Sequence, residues 1–149
     1  VAFIHCARGT YSHALENLNR IVTSSLKPMT KTVVDATTAY TLAWLERDLP
    51  RAEALIQSSI KAFPQEPLFG FFLGLVRFKQ NRHAEAKELI LKSLQEDPSP
   101  KDPHPGERHY VLAQVLKALG DASGAKAELE KARAIKGRFG ELAAKELAG

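Results

Sequence analysis

The histidines, the cysteine and the paired carboxylates are the residues of this chain whose types could do chemistry. His5 directly precedes Cys6, and an imidazole beside a thiol is the pairing that activates a cysteine nucleophile. Neighbouring positions on a helix do not face each other, so this pair would not meet in a helix. We therefore expect Cys6 to be a small packing residue rather than a nucleophile.

Metal binding would require several ligands on one face of an element. His104 and His109 are five residues apart across a proline-containing loop, and His5, His13 and His83 are scattered. A helical zinc pair needs histidines four residues apart with a further acidic or histidine ligand. No such spacing is present in the sequence, so we predict surface or loop histidines, no metal site and no cofactor.

Nucleophilic and phosphate-binding motifs are also missing from the sequence. It contains no G-x-S-x-G, no P-loop and no G-x-G-x-x-G. Glu46 and Asp48 alternate with Arg47 and lie near Arg51, which indicates solvated ion pairs rather than acid–base catalysis. The chain is therefore predicted to have no catalytic residues and not to be an enzyme.

Composition narrows the class of protein further. The 149 residues are 44% hydrophobic and 26% charged, which excludes a disordered tail, and one cysteine excludes an internal disulfide framework. The longest uncharged apolar run, 68–76, has nine residues and is too short to span a bilayer. The 21 basic and 17 acidic residues are interleaved, so neither nucleic-acid binding nor direct membrane insertion is predicted.

Self-similarity at a period of 34 residues is the clearest signal in the sequence. Ala52 and Ala86 are 34 residues apart, and a proline, Pro64 or Pro98, follows each of them after twelve residues. A fixed period of this length is the signature of stacked structural repeats. The sequence therefore contains two consecutive copies of one unit.

A third copy is displaced by an insertion. Ala125 lies 39 residues after Ala86, and the run 98–105 between them contains four prolines. Since proline does not fit within a helix, this run is predicted to be an inserted loop. The run 9–14 resembles 120–125, which indicates an incomplete fourth copy ahead of the others.

Each unit is predicted to be two helices joined by a short turn. In the second unit the helices span 68–79 and 83–95, with apolar or small residues at helical spacing in the latter. In the third unit the turn falls at Gly120-Asp121, and Leu119 is expected to face the core. No segment alternates apolar and polar residues between turn signals, so the fold class is all-α.

These residues resemble the tetratricopeptide repeat (TPR), a 34-residue helix–turn–helix unit. The matching residues are Leu73, Gly74, Ala86, Ile90 and Pro98 in the second unit and Leu112, Ala113, Gly120, Asp121, Ala125, Leu129 and Ala132 in the third. In the first unit Tyr40 stands where a small residue is expected, beside Ala39, which leaves the register of that helix open by one residue. Gly70 and Gly74 are interpreted as sites where helices pack closely. The resemblance implies a right-handed α-solenoid of stacked repeats.

The resemblance covers nearly the whole chain and implies one TPR domain over 1–149. It would consist of a partial repeat 1–31, repeats over about 32–65, 66–99 and 106–137, and a C-terminal capping helix over 138–148. By this alignment Val1 falls within a first helix, and no methionine begins the chain. We therefore expect a fragment of a longer protein.

The first helices of TPR units form a concave surface, and function is expected there. The groove residues that the resemblance implies are Thr37, Thr41, Trp44, Phe71, Leu75, Phe78, Lys79, Tyr110, Gln114 and Lys117. The run 69–72 places aromatic residues on several faces of one helix, and an exposed aromatic patch usually marks an interaction site. The alternative is that these residues belong to the core or are covered by another part of the protein.

The resulting prediction is a non-enzymatic scaffold that binds a peptide or helix of a partner protein in an apolar concave groove. The alternatives are an accessory or regulatory module of a larger multidomain protein and a self-assembly module, which would make the chain a homo-oligomer. Alanine-rich helices and one free cysteine favour the cytoplasm over the periplasm. A periplasmic domain without its leader would have the same composition, so the compartment stays open.

Overall fold

The computed structural model describes residues 9–21, 26–97 and 104–149, and the regular structure within them is helical. In chain order the helices are α1 (Tyr11–Asn19), α2 (Pro28–Leu45), α3 (Leu49–Ala62), α4 (Pro67–Lys79), α5 (His83–Glu96), α6 (Glu107–Ala118), α7 (Ala122–Arg133) and α8 (Arg138–Ala148). The predicted all-α class is confirmed. The His5-Cys6 pair, Val1 and most of the predicted insertion lie outside the described residues.

The helices pack as successive pairs. Helix α2 packs on α3, α4 on α5 and α6 on α7, each pair joined by a three-residue turn, and α8 packs on α7. The first helices of neighbouring pairs also contact one another, α2 against α4 and α4 against α6. This is the arrangement of a helical solenoid, and it confirms the predicted architecture of stacked helix–turn–helix units.

Side chains at the turns explain where the second helices begin. The Asp48 carboxylate accepts a hydrogen bond from the Arg51 backbone N–H at 3.4 Å, and Pro50 lies in the first turn of α3. The Asp121 carboxylate accepts one from the Gly124 backbone N–H at 2.8 Å at the start of α7. Both contacts satisfy N–H groups that have no partner within the helix, and a proline in the first helical turn has no N–H to satisfy.

The first helix of each pair ends in the same backbone hydrogen bond. The bonds run from Arg47 N to Leu42 O at 3.0 Å, from Arg82 N to Arg77 O at 2.9 Å and from Asp121 N to Leu116 O at 2.9 Å. The bond spans five residues each time, which is the pattern of a Schellman-type helix end. The three donors therefore mark equivalent positions in the three units, separated by 35 and 39 residues.

This spacing settles the register of α2. Ala39, Gly74 and Ala113 are separated by the same 35 and 39 residues as the three turns. Ala39 is fully buried, so it occupies the small-residue position of the first unit. Tyr40 therefore follows the small-residue position by one residue. The 34-residue alignment had placed Tyr40 itself at that position, on a different face of α2.

Close helix packing occurs at only one of the two glycines for which it was predicted. A Cβ on Gly74 would lie 2.8 Å from Cγ1 of Ile90 and 3.4 Å from the carbonyl oxygen of Ala86, so any larger residue would force Ile90 of α5 to move. A Cβ on Gly70 would meet nothing within 4 Å, and that prediction is wrong. Leu119 was expected to face the core but is 44% exposed, because it lies where α6 has already ended.

Candidate protein-interaction surface

Four of the ten residues predicted to line the groove are buried. Thr37 is 4% exposed, and Thr41, Phe71 and Leu75 are 0% exposed. The first helices contact each other directly, so the side chains between them lie in the core. The prediction that these four side chains face an open groove is wrong.

The aromatic run 69–72 belongs to the core as well. Phe69 and Phe72 are buried together with Phe71, and the ring of Phe72 lies 4.8 Å from that of Tyr40 on α2. Helix α4 is covered by α3, α5, α2 and α6, so it buries residues around most of its circumference. Its aromatic residues therefore fill the contacts of a central helix and do not form an exposed patch.

The other six predicted residues form a partly exposed strip, which we call the groove strip. It consists of Trp44 on α2, Phe78 and Lys79 on α4, and Tyr110, Gln114 and Lys117 on α6. Lys117 is exposed and the other five are intermediate in exposure. The strip thus contains residues of three consecutive helical pairs.

Aromatic contacts with α8 join the strip across its length. The ring of Phe139 lies 5.9 Å from that of Trp44 and 5.6 Å from that of Tyr110. The ammonium of Lys79 lies 5.3 Å from the centre of the Trp44 ring, within range of a cation–π interaction. The helix predicted as a C-terminal cap therefore supplies an aromatic ring beneath the groove strip.

Carboxylates flank the strip at both ends. Glu146 of α8 accepts hydrogen bonds from the Tyr110 hydroxyl at 2.8 Å and from Nε2 of Gln114 at 2.9 Å, and it pairs with Lys117. At the other end the ammonium of Lys79 donates to the Glu46 carboxylate at 2.8 Å.

Burial, followed by the hydrogen bond to Glu146, raises the pKa of Tyr110 to about 12. The tyrosine therefore remains a neutral hydrogen-bond donor across the physiological range.

A buried carboxylate, Glu107, ties α2 to α6 beside the strip. Glu107 is 3% exposed, and its Oε1 accepts hydrogen bonds from the Tyr40 hydroxyl at 2.6 Å and from Nε1 of Trp44 at 2.9 Å. The ring of His104 stacks on that of Tyr40 at 5.5 Å. This cluster was not predicted from the sequence, although the bulky Tyr40 at an apparent small-residue position is a signal for it.

The concave side is closed by contact between α1 and α8. The Arg138 guanidinium donates a hydrogen bond to the Tyr11 hydroxyl at 2.8 Å, although 127 residues separate the two. The Tyr11 ring in turn stacks on that of Trp44 at 5.6 Å. The centre of the predicted groove is thus filled by aromatic side chains of the chain itself, and the strip is the part that remains accessible.

Burial shifts the pKa of the titratable groups in this region. Burial and, after it, the charge of Glu107 raise the pKa of Tyr40 well above its ordinary value. Burial, followed by the nearby charge of Arg138, lowers the pKa of His104 from 6.5 to about 4. His104 is therefore neutral in the folded protein at neutral pH.

Replacing His104 with phenylalanine is expected to reduce the loss of stability in mild acid. The pKa of His104 is about 4 in the folded chain against 6.5 when exposed, so its contribution is present above pH 6.5 and is lost as the pH falls towards 4. Urea unfolding at about pH 7, 6 and 5 measures this loss. The phenylalanine ring retains the stack but does not titrate, and equal losses in both proteins would contradict the prediction.

Metal-binding groups are not clustered in the part of the chain that the structure describes. No set of three or more His, Cys, Asp or Glu side chains there could hold a metal ion. Nδ1 of His109 lies 2.7 Å from the Glu128 carboxylate, a hydrogen bond between α6 and α7. None of the helices found in the described ranges is long and apolar enough to cross a membrane.

Comparisons with known proteins identify the fold. No family model matches the chain, and no curated protein matches it by sequence. Among solved structures, MamA from Desulfovibrio magneticus RS-1 superposes with a TM-score of 0.61 at 14% identity, covering 88% of this chain and 69% of that one. MamA of MSR-1 superposes with a TM-score of 0.58 at 19% identity, covering 88% and 70%. MamA of AMB-1 gives 0.54 at 17%, covering 88% and 92%. The shared fold is a TPR-like helical solenoid.

Proposed function

We propose that this chain is a non-enzymatic protein-interaction scaffold, one TPR domain over residues 1–149, and that the groove strip binds a segment of a partner protein. The observation that carries the proposal is the continuity of the strip. The six side chains come from three successive helical pairs, and direct contacts link most of them: Trp44 and Tyr110 lie against the Phe139 ring, Lys79 lies over the Trp44 ring, and Gln114 and Lys117 pair with Glu146 of α8. A strip of this kind suits an extended peptide or a helix.

The chemistry of the strip indicates the kind of segment. Partly exposed faces of Trp44, Phe78 and Tyr110 offer apolar contact, and aromatic residues are typical anchors of protein interfaces. Lys79 and Lys117 border them, each already paired with a carboxylate of the chain. A partner segment with apolar residues at its centre and polar residues at its edges would bury the rings without leaving a charge unpaired.

Site-specific photo-crosslinking tests the proposal in cells of the native host. A photo-reactive phenylalanine derivative at position 78 is expected to form a covalent product with a partner protein. The same group at position 92, whose lysine side chain on α5 is 72% exposed, is the control and is expected to form none. Lys117→Glu should weaken capture at position 78, because it places a like charge beside Glu146.

Three results would contradict the proposal. The first is an equal yield of crosslinked product at positions 78 and 92, and the second is no product at position 78. The third is crosslinking at position 78 that Lys117→Glu leaves unchanged but Lys92→Glu abolishes. A product between two copies of the chain would instead favour the self-assembly alternative, and its mass distinguishes it from a heterologous product.

A further inference from the structure

A second apolar surface lies at the starts of α2 and α4, whereas Trp44, Phe78 and Lys79 of the groove strip lie at the ends of these helices. A cavity of about 390 Å³ is bounded by the start of α2, the end of α3 and the start of α4. Its walls include Met29, Val33, Phe63, Pro64, Glu66 and Phe69. Val33 precedes Trp44 of the strip by eleven residues on α2, about 16 Å along the helix, so the two surfaces are separate.

Exposed apolar side chains mark this cavity as unusual. Met29 is 64% and Val33 is 40% exposed, and they are two of the four large apolar residues that are exposed in the described ranges. Of the described residues that line the cavity, Glu66 alone carries a charge. The site therefore offers an apolar interior with one carboxylate on its wall.

The end of α3 adds negative potential to the same place. Pro64 has no N–H, so it cannot bond the carbonyl of Ile60 four residues earlier, and the last carbonyls of α3 point outward beyond Ala62. The C-terminus of a helix carries a partial negative charge. The Glu66 carboxylate lies next to this end in the wall of the cavity. It also accepts a hydrogen bond from the Leu68 backbone N–H at 3.2 Å, and Lys61 lies in the last turn of α3. The remaining carboxylate oxygen and the α3 carbonyls together favour a positive group there.

The next helical pair shows how this fold satisfies the equivalent helix end. The Arg108 guanidinium donates to both the carbonyl oxygen and the hydroxyl of Ser93 at 2.9 Å, and to the carbonyl oxygen of Asp97 at 3.3 Å, at the end of α5. Ser93 and Asp97 lie 34 residues after Ser59 and Phe63, the equivalent residues at the end of α3. An arginine side chain is thus the group that this molecule itself places against such an end.

The equivalent place one unit earlier, the interval between α2 and α4, lacks that arginine. The position 39 residues before Arg108, which is the spacing between equivalent residues of α4 and α6, holds Phe69. Phe69 is 8% exposed and supplies an apolar wall of the cavity but no hydrogen-bond donor. The interval between α2 and α4 therefore combines an open apolar cavity with a helix end that has no cationic side chain from α4.

We propose that this cavity binds a segment of a partner protein in which a bulky apolar residue lies next to an arginine or lysine. The apolar side chain would fill the space between Val33 and Phe69, and the cation would lie against the end of α3 and the Glu66 carboxylate. Charge complementarity and the contacts of Arg108 in the next interval support this chemistry. The inference does not rest on the groove strip.

Selection of random twelve-residue peptides displayed on phage against the complete chain tests the inference. Enriched peptides are expected to contain an apolar residue beside arginine or lysine. For a synthetic copy of one such peptide, Val33→Asp should weaken binding by about tenfold or more, since it buries an unpaired carboxylate. Glu66→Gln should weaken it several-fold. Leu119→Asp is the matched control, because Leu119 is also exposed and apolar but lies outside the cavity.

Several outcomes would overturn the inference. They are enriched peptides without a basic residue, no enrichment at all, or equal loss of binding in Val33→Asp and Leu119→Asp. Circular dichroism of each variant establishes that it is folded before binding is compared, and Val33→Ser replaces Val33→Asp should the latter unfold. A dimer that forms with rising concentration and disappears in the Val33 variant would show that the occupant is a second copy of the chain.

Discussion

Replacing Phe71 with alanine is expected to lower the free energy of unfolding by about 3–5 kcal/mol. The side chain is fully buried in α4, and its ring lies 5.9 Å from that of Phe72 within the core. Removing it leaves a cavity between helices that contact one another on several sides and cannot collapse freely. Urea unfolding followed by circular dichroism measures the loss.

Phe78→Ala is the matched control for this prediction. Phe78 lies seven residues later on the same helix but is only partly buried, so its truncation should cost clearly less stability. If Phe71→Ala weakened partner capture while unfolding at the same urea concentration as the unaltered chain, the ring would have to face a ligand. The assignment of Phe71 to the core would then be wrong.

The repeat architecture was predictable because its signals are local and periodic. Small residues such as Ala86 and Ala125 recur wherever two helices of a pair meet, since larger side chains do not fit there. The same argument explains Gly74, whose absent Cβ leaves room for Ile90. These constraints operate within one helical pair, so the sequence displays them directly.

Burial on the concave side was not predictable from the same pattern. Whether Phe71 or Leu75 faces solvent depends on how closely α2 and α6 approach α4, and these contacts join residues of different pairs. The resemblance predicts which helices line the groove. It does not predict that the rings of Tyr11, Trp44 and Phe139 pack together and fill its centre. The predicted groove was therefore too wide, and only its partly exposed strip remains.

An error of one residue had a large effect at Tyr40. With the 34-residue period, Thr41 was aligned with Leu75 and given a groove position. The turns show that equivalent positions of α2 and α4 are 35 residues apart, so Tyr40 corresponds to Leu75. Equivalent positions of α4 and α6 are 39 residues apart, so Leu75 in turn corresponds to Gln114. A one-residue shift turns a helix position by about 100°, which moves the side chain to another face.

Replacing Glu107 with leucine is expected to lower the free energy of unfolding by about 2–5 kcal/mol, because the Tyr40 hydroxyl and the Trp44 indole N–H lose their acceptor. Trp44 is the single tryptophan, so its fluorescence reports on this site alone and should change in the folded variant. Urea unfolding followed by that emission measures both effects.

Glu107→Gln separates the hydrogen bonds from the charge. Both donors end on the same oxygen, Oε1, so a glutamine carbonyl can accept both hydrogen bonds, and the glutamine variant should be more stable than the leucine variant. Removing the negative charge should also bring the raised pKa of Tyr40 closer to its ordinary value, since that charge is the second cause of the shift after burial. Equal stability of the leucine and glutamine variants would show that the two hydrogen bonds do not hold α2 against α6. In that case aromatic packing of Tyr40, Trp44 and Phe139 would be what closes the concave side and determines how much of the groove strip a partner can reach.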